Sequence, residues 1–443
     1  MNRTVAALVY IIIVSAVLPP CVSADWSMFR SDSAHSGVGS DNSAGNPVLA
    51  PTQLWKTNIS WTPTDMEALF RTRDLTETVV VGGVVYVSAR SWVAFDMYYN
   101  QRGWIDVYAF NATNGAEIWD YRDNSLDQIS SLAFANGLVY FGADNNNVYA
   151  LNAATGTLFW NTSITNIGHS SPAVVDGVVY IGGIGIIYAL AAADGHIIWE
   201  AHVDANVAWS SPAVSNGVVY VGSFDGMYAF NAITGDKIWN SYGGEDFHFA
   251  PTVSKGVIYA ITSGENIYAF DAANGARIWN YSVYDGVTGG DAYFAKGSDM
   301  IYARSGWDKL YALNALSGAK IWNVTFGQEI SPPTLVNNVI YLGSNNSFYA
   351  LNAHTGEILW NYTIGGGFGS PVVVNGIAYS SNSYGGENNQ VCAISVPLGP
   401  SSSEMSPPAP FPYATIVIAS VVVFLFAVVS AGLLVYHKKH MNK

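Results

Sequence analysis

Cysteine and charge are what this chain of 443 residues has least of. There are two cysteines, Cys21 and Cys392, and the first falls in a segment that reads as a leader, so the mature chain can form no internal disulfide. An exported body of that kind is held together by packing alone. No Cys-x-x-Cys, His-Glu-x-x-His or Cys-x-x-Cys-His occurs, and the eight histidines are scattered, so no metal or haem site is predicted. Charged residues make up only 11%, and basic ones are the scarcer. Between residues 25 and 412, 14 Lys and Arg face 32 Asp and Glu, a net charge of −18. Such a surface repels nucleic acid and anionic lipid, and favours solubility and cationic partners. Helical periodicity is missing as well. The chain is rich in Val, Ile, Tyr and Gly, which argues against a solenoid of helix pairs.

What is present, at a period of about 40 residues, is one phrase repeated. "YAFNATNGAEIW" stands at 108–119, "YALNAATGTLFW" at 149–160, "YALAAADGHIIW" at 188–199 and "YAFNAITGDKIW" at 228–239. "YAFDAANGARIW" at 268–279, "YALNALSGAKIW" at 311–322 and "YALNAHTGEILW" at 349–360 complete the set. Tyr and Trp are eleven residues apart in each, and the steps from Trp119 to Trp360 are 41, 39, 40, 40, 43 and 38. A fixed period of this length marks a repeat architecture. In 168–200, Pro172 opens a β-rich run and Asp176-Gly177 reads as a two-residue hairpin turn. "VVYIGG", "IIYALA" and "HIIWEA" follow as further strands. Four antiparallel strands in about 40 residues form one propeller blade.

The repeated Ala-x-Asn/Asp-x-x-Thr-Gly-x-x-x-Trp, for example Ala150, Asn152, Thr155, Gly156 and Trp160, resembles the tryptophan-docking motif of the pyrroloquinoline-quinone (PQQ) propeller-repeat superfamily. "DWSMFRSDSAHSG" near the start is similar to the opening of bacterial and archaeal members, including the BamB-like propellers of outer-membrane assembly. The resemblance implies that Trp55, Trp119, Trp160, Trp199, Trp239, Trp279, Trp322 and Trp360 are structural, each indole packing on the motif glycine of a neighbouring blade. Position three departs from Asn at Asp271 and Ala191. For the quinoprotein dehydrogenases of the superfamily, the resemblance also implies a vicinal cysteine pair, a calcium ion and an aspartate base. A chain with one mature cysteine cannot supply that pair, so PQQ is a possibility that no site supports.

Seven motifs do not make seven blades. After Trp360 there is sequence for three more strands and no fourth, while "PTQLWKTNI" precedes the first motif with an unpartnered Trp55. If that strand completes the last blade, the ring closes with eight blades and two sheet edges disappear. Seven blades with frayed ends are the alternative. The expected architecture is therefore all-β, an eight-bladed β-propeller of four-stranded antiparallel blades over 51–396.

The flanks complete the organisation. Residues 1–24 read as a signal peptide ending in Val22-Ser23-Ala24, with an uncleaved anchor as the alternative, and 25–50 as a lead segment. Residues 397–412 hold six prolines and read as an extended stalk, up to ~50 Å long. Residues 413–436 lack charge and would span ~36 Å as a helix, enough for a bilayer. The lysines of the tail 437–443 mark the cytoplasmic side. The expectation is a single-pass type I protein of the cell membrane, its monomeric propeller extracellular. Sequons at Asn58, Asn111, Asn161, Asn280, Asn323, Asn345 and Asn361 suit such a body as possible N-glycosylation sites.

Antiparallel blades give the ring two faces. The lower connections are short turns, among them Asn136-Gly137, Asp176-Gly177, Asn216-Gly217 and Asn375-Gly376. Length varies on the upper face, where two insertions of eleven and fourteen residues fall in the first blade, between Trp55 and Tyr108. They carry Arg71, Arg73, Arg90 and Arg102 beside Trp92 and Trp104, a composition typical of interfaces. Arg71, Arg73, Arg102 and Trp104 are the predicted partner-binding residues, with a solvated charge network as the plainer reading. Asp127, His169, Trp209, His248 and Asp291, in loops before the inner strands, would ring the channel mouth as a second candidate site. Fold does not fix function. The expected role is a non-catalytic scaffold at the cell surface, binding envelope proteins, surface proteins or glycans, with a quinone-dependent oxidoreductase as the alternative.

Overall fold

A computed structural model of the chain describes residues 32–33, 35, 50–59, 70–76, 78–94, 101–124, 128–165, 167, 170–203, 210–242, 244–247, 249–283, 294–344, 347–363, 369–382 and 389–396. The predicted signal peptide, stalk, membrane span and tail lie outside them. No helix among the described residues is long and apolar enough to cross a membrane.

Eight antiparallel sheets form the body. The third is representative: Ala173–Val175 innermost, then Val178–Gly183, Ile186–Ala191 and, outermost, Ile197–His202. Asp176 and Gly177 take φ of 49° and 78°, the left-handed pair that a two-residue hairpin turn needs. The middle strands are buried on both faces because each sheet lies between two others, while the outer strand is largely exposed. The inner strands are neighbours all round the ring, and Val79–Val81 meets both Ala133–Ala135 and Val372–Val374. The ring is therefore closed, with eight blades.

Closure comes from the strand Thr52–Asn58, which pairs with Gln390–Ser395, Trp55 opposite Ala393. It becomes the outer strand of blade eight. Blade one differs from its siblings by a fifth strand, Phe70–Leu75, paired to the upper half of Val84–Ala94.

The seams between blades share one clamp. Trp119 Nε1 donates to the Ala153 carbonyl at 2.8 Å, Trp160 to Ala192 at 3.0 Å and Trp239 to Ala272 at 3.0 Å. Trp199, Trp279 and Trp322 donate likewise to Ala232, Ala315 and Ala353. Trp55 repeats the bond to Ala112 at 2.8 Å, across the closing seam. In most seams the same carbonyl also takes a tyrosine hydroxyl, as from Tyr86 to Ala153 and Tyr379 to Ala112. Each indole lies on a motif glycine: a Cβ on Gly115, whose φ is +71°, would stand 2.5 Å from Trp55 Cε3. A β-bulge one residue before each tryptophan re-aims the outer strand so that the ring reaches its neighbour.

Trp360 departs from the expected docking. Its neighbour, blade eight, takes its outer strand from the front of the chain, so no tight turn with a motif glycine exists there. Trp360 is half-buried against Tyr341 and Phe348, with ring centroids 6.1 and 5.5 Å away.

Candidate functional site

The two insertions of blade one build a single structure. The second and third strands, Val84–Ala94 and Gln101–Asn111, are 11 residues long where those of blade three have 6. Five extra residues raise the hairpin about 17 Å above the ring. Phe70–Leu75 flanks it, so three strands stand up as a tower on the upper face.

Register places the predicted residues together. Arg71 pairs with Val93 and Val93 with Arg102, while Arg73 pairs with Ser91 and Ser91 with Trp104. Residues two apart or directly paired share a sheet face, so Arg71, Arg73, Arg102 and Trp104 occupy one face of the tower. The next row adds Leu75, Ala89, Asp106 and Arg122. Leu75, Ala89 and Tyr108 pack in the core shared with blade eight, which identifies the face as the one turned toward that blade.

Asp106 and Arg122 were not singled out from the sequence. Arg122 Nε donates to Asp106 Oδ1 at 2.6 Å, and its guanidinium carbon lies 5.7 Å from the centroid of the half-buried Trp104 ring. Burial works against the charge on Arg122, but the hydrogen bond and charge of Asp106 outweigh it and raise the guanidinium pKa. The Asp106 side chain is fully buried, so this pair fixes the base of the tower against the third and fourth strands. Only the strand pairing reveals it, since the two residues are 16 apart in the chain.

The predicted channel-mouth residues Asp127, His169, Trp209, His248 and Asp291 lie outside the described residues. Beside three of them the wall is built of serines. Ser170 Oγ donates to the Ser210 carbonyl at 3.1 Å and accepts from Gly182 N at 2.9 Å; Ser210 Oγ makes the matching bonds to Phe249 O and Gly222 N. These hydroxyls tie blade to blade and are fully engaged in the fold.

Between blades five, six and seven the upper face holds a charged cluster that motif reading passed over. Arg304, 5% exposed, approaches Glu329 Oε1 at 3.5 Å. Glu265, 4% exposed, accepts from Ser305 Oγ at 2.9 Å, while its Oε1 and the Arg304 Nε are buried with no hydrogen-bond partner. Arg304 stands where blades two, three, four and seven have glycine (Gly142, Gly182, Gly222 and Gly343), which is why the repeat pattern hides it.

The lead segment reaches the channel wall. Ser33 Oγ donates to the Val214 carbonyl at 3.1 Å, and Thr252 Oγ1 donates to the carbonyl of the buried His35 at 2.8 Å. These contacts join it to the inner strands of blades four and five. Together with the turns at Asp176 and Asn216 it lines a cavity of about 820 Å³, most of its wall apolar. The described residues do not fit a quinone site of the dehydrogenase kind. Cys392, the one cysteine beyond the leader, is buried in the core between blades seven and eight, where burial pushes its thiol up to about 12. Among the described residues no group of three His, Cys, Asp or Glu is placed to hold a metal ion.

The family model for the outer membrane protein assembly factor BamB matches residues 105–183 and 183–395. The chain is 35% identical over 109 residues to BamB of Yersinia pestis, 22% of this chain and 28% of that one. It thus spans under a third of the length of that curated relative. Among solved structures it is similar to BamB from Moraxella catarrhalis, with a TM-score of 0.56 and 16% identity over 81% of this chain and 100% of the other. It is also similar to quinohemoprotein alcohol dehydrogenase from Comamonas testosteroni, with a TM-score of 0.65 and 17% identity over 87% and 82%. At such identities the structural likeness speaks for the fold alone.

Proposed function

The chain belongs to the family of the outer membrane protein assembly factor BamB, and from that premise we propose that it is a non-catalytic scaffold of the cell envelope that holds protein partners on its upper face. The observation that carries the reading is the tower. A ring of near-identical blades has no packing need for two insertions in one place, yet they form one sheet with Arg71, Arg73, Arg102 and Trp104 on one face. Basic and aromatic residues on an acidic body favour a partner surface rich in carboxylates, since opposite charges steer encounter and set specificity.

The same reading places the chain at a membrane, by the apolar segment 413–436, with the propeller outside. The third strand of blade eight ends at Ser395 on the lower face, opposite Thr52, so a tether beyond it leaves by that face and the tower points away. An oxidoreductase is the second reading, favoured by the buried Glu265–Arg304–Glu329 cluster at the upper face and tested by a quinone absorption band in the purified protein.

The scaffold reading is tested by replacing Arg71, Arg73 and Arg102 together with alanine. The melting temperature should stay within a few degrees, because exposed charges contribute little to stability. Capture of the envelope proteins that co-purify with the wild-type protein should be lost. Undiminished capture moves the site elsewhere.

A further inference from the structure

We propose that the outer rim of the ring is a glycan-bearing surface, and that the residues modified are Asn161, Asn280, Asn323 and Asn361. This inference is independent of the scaffold reading. It starts from a hazard built into the fold. The outer strand of every blade is a free sheet edge, and its bulge residue, just before the tryptophan, is a large apolar side chain. Leu54, Phe159, Ile278 and Leu359 are 42–57% exposed, and the other four blades have Ile at the same place. An exposed edge with apolar side chains invites strand pairing with other molecules unless charge guards it.

The residue just after the tryptophan is the guard. In blades eight, one and three it is charged: Lys56, Asp120 and Glu200. In blades two, five, six and seven it is Asn161, Asn280, Asn323 and Asn361, all exposed and each followed two residues later by an exposed hydroxyl, on Ser163, Ser282, Thr325 and Thr363. Wherever charge is missing, a complete acceptor sequon takes its place, except in blade four. There Asn240 is half-buried and Tyr242 occupies the hydroxyl position.

The geometry separates these four from the other sequons. Their amides make no hydrogen bond among the described residues and stand at the rim. Asn111, by contrast, uses Oδ1 to accept from the Thr113 and Asn114 amides in the tight turn on which Trp55 docks. Asn58 accepts from Gln390 Nε2 at 2.9 Å. Asn345 lies outside the described residues.

The modification is a saccharide transfer from a lipid-linked phosphate donor, catalysed by an external transferase. The bond from the anomeric carbon to the phosphate oxygen breaks and one to asparagine Nδ2 forms. The amide gives up a proton, and the lipid phosphate leaves with the electron pair. A hydrated glycan then does at four rims what charge does at three.

Glycopeptide mass spectrometry on the full chain, isolated from the membranes of its own cells, tests this. Saccharide mass should appear on the Asn161, Asn280, Asn323 and Asn361 peptides, and the Asn111 peptide should be bare. Ser282→Ala and Thr363→Ala keep the asparagine and change only exposed hydroxyls. Each should remove the glycan at its own site and shift gel mobility by one step. Modification at fewer than three of the four rim sites overturns the proposal, as does equal occupancy at Asn111 or a glycan that survives the hydroxyl changes.

Discussion

The two seams that border blade eight make an instructive pair. Toward blade one the seam is complete: Trp55 donates to Ala112, rests on Gly115, and shares its acceptor with the Tyr379 hydroxyl. Toward blade seven the clamp is missing, and Trp360 makes only ring contacts. The cause is topological. Blade eight is assembled from both ends of the propeller sequence, so its third and fourth strands are not joined by a turn, and the turn is what carries the glycine and the acceptor carbonyl. Closing the ring with a strand from the front secures one seam and leaves the other without its docking platform.

The largest expected effect lies in the complete seam. Trp55→Ala should cost about 3–5 kcal/mol, as buried tryptophans generally do, and match Trp239→Ala in chemical denaturation. A Trp55→Ala melting curve like that of the wild type would dissolve the distinction between the seams. Trp360→Ala should cost clearly less, roughly half as much, because a half-exposed ring without its hydrogen bond loses less on truncation. Equal losses at Trp55 and Trp360 would show that the docking turn contributes nothing.

A smaller effect sharpens the same contrast. Burial raises the Tyr379 hydroxyl from its ordinary value of 10 to about 12, as it does those of Tyr86, Tyr140 and Tyr259. These phenols keep their protons in the folded state after the unfolded chain has lost them. Their contribution is complete below pH 10 and disappears as pH rises from 10 to 12. Tyr379→Phe should cost about 1 kcal/mol at neutral pH and make the alkaline decline in melting temperature shallower. An unchanged alkaline slope would mean that this hydroxyl takes no part in the seam.

Much of this was legible in the sequence, for a physical reason. Docking tryptophans, Asn-Gly turns and the spacing between them are fixed by contacts that every blade must make, so they repeat in the letters. Trp55 could be matched to blade eight because one strand was missing there and one was spare. The tower strand was not legible: "FRTRDL" has no repeat partner and too many charges to read as a strand. Nor was the Asp106–Arg122 pair, which exists only in the register of two neighbouring strands. Trp360 looked like its seven siblings because the letters record the tryptophan, while its difference lies in the turn it would need. The seating of Ser33 and His35 against blades four and five came from a segment too far away in sequence for any local pattern to connect them.

Blade eight and blade one meet at the closing seam, and the body ends in one while the tower rises from the other. If a partner grips the tower while the chain beyond Val396 is held, tension runs from Gln390–Ser395 through Thr52–Asn58 and across to blade one. Along that line the antiparallel strand pair is loaded along its length and its hydrogen bonds share the force, instead of opening one at a time from an end. The indole of Trp55 is then the rivet between handle and tether, and the seam toward blade seven stays out of the line of pull. The molecule is strongest where it would be stretched.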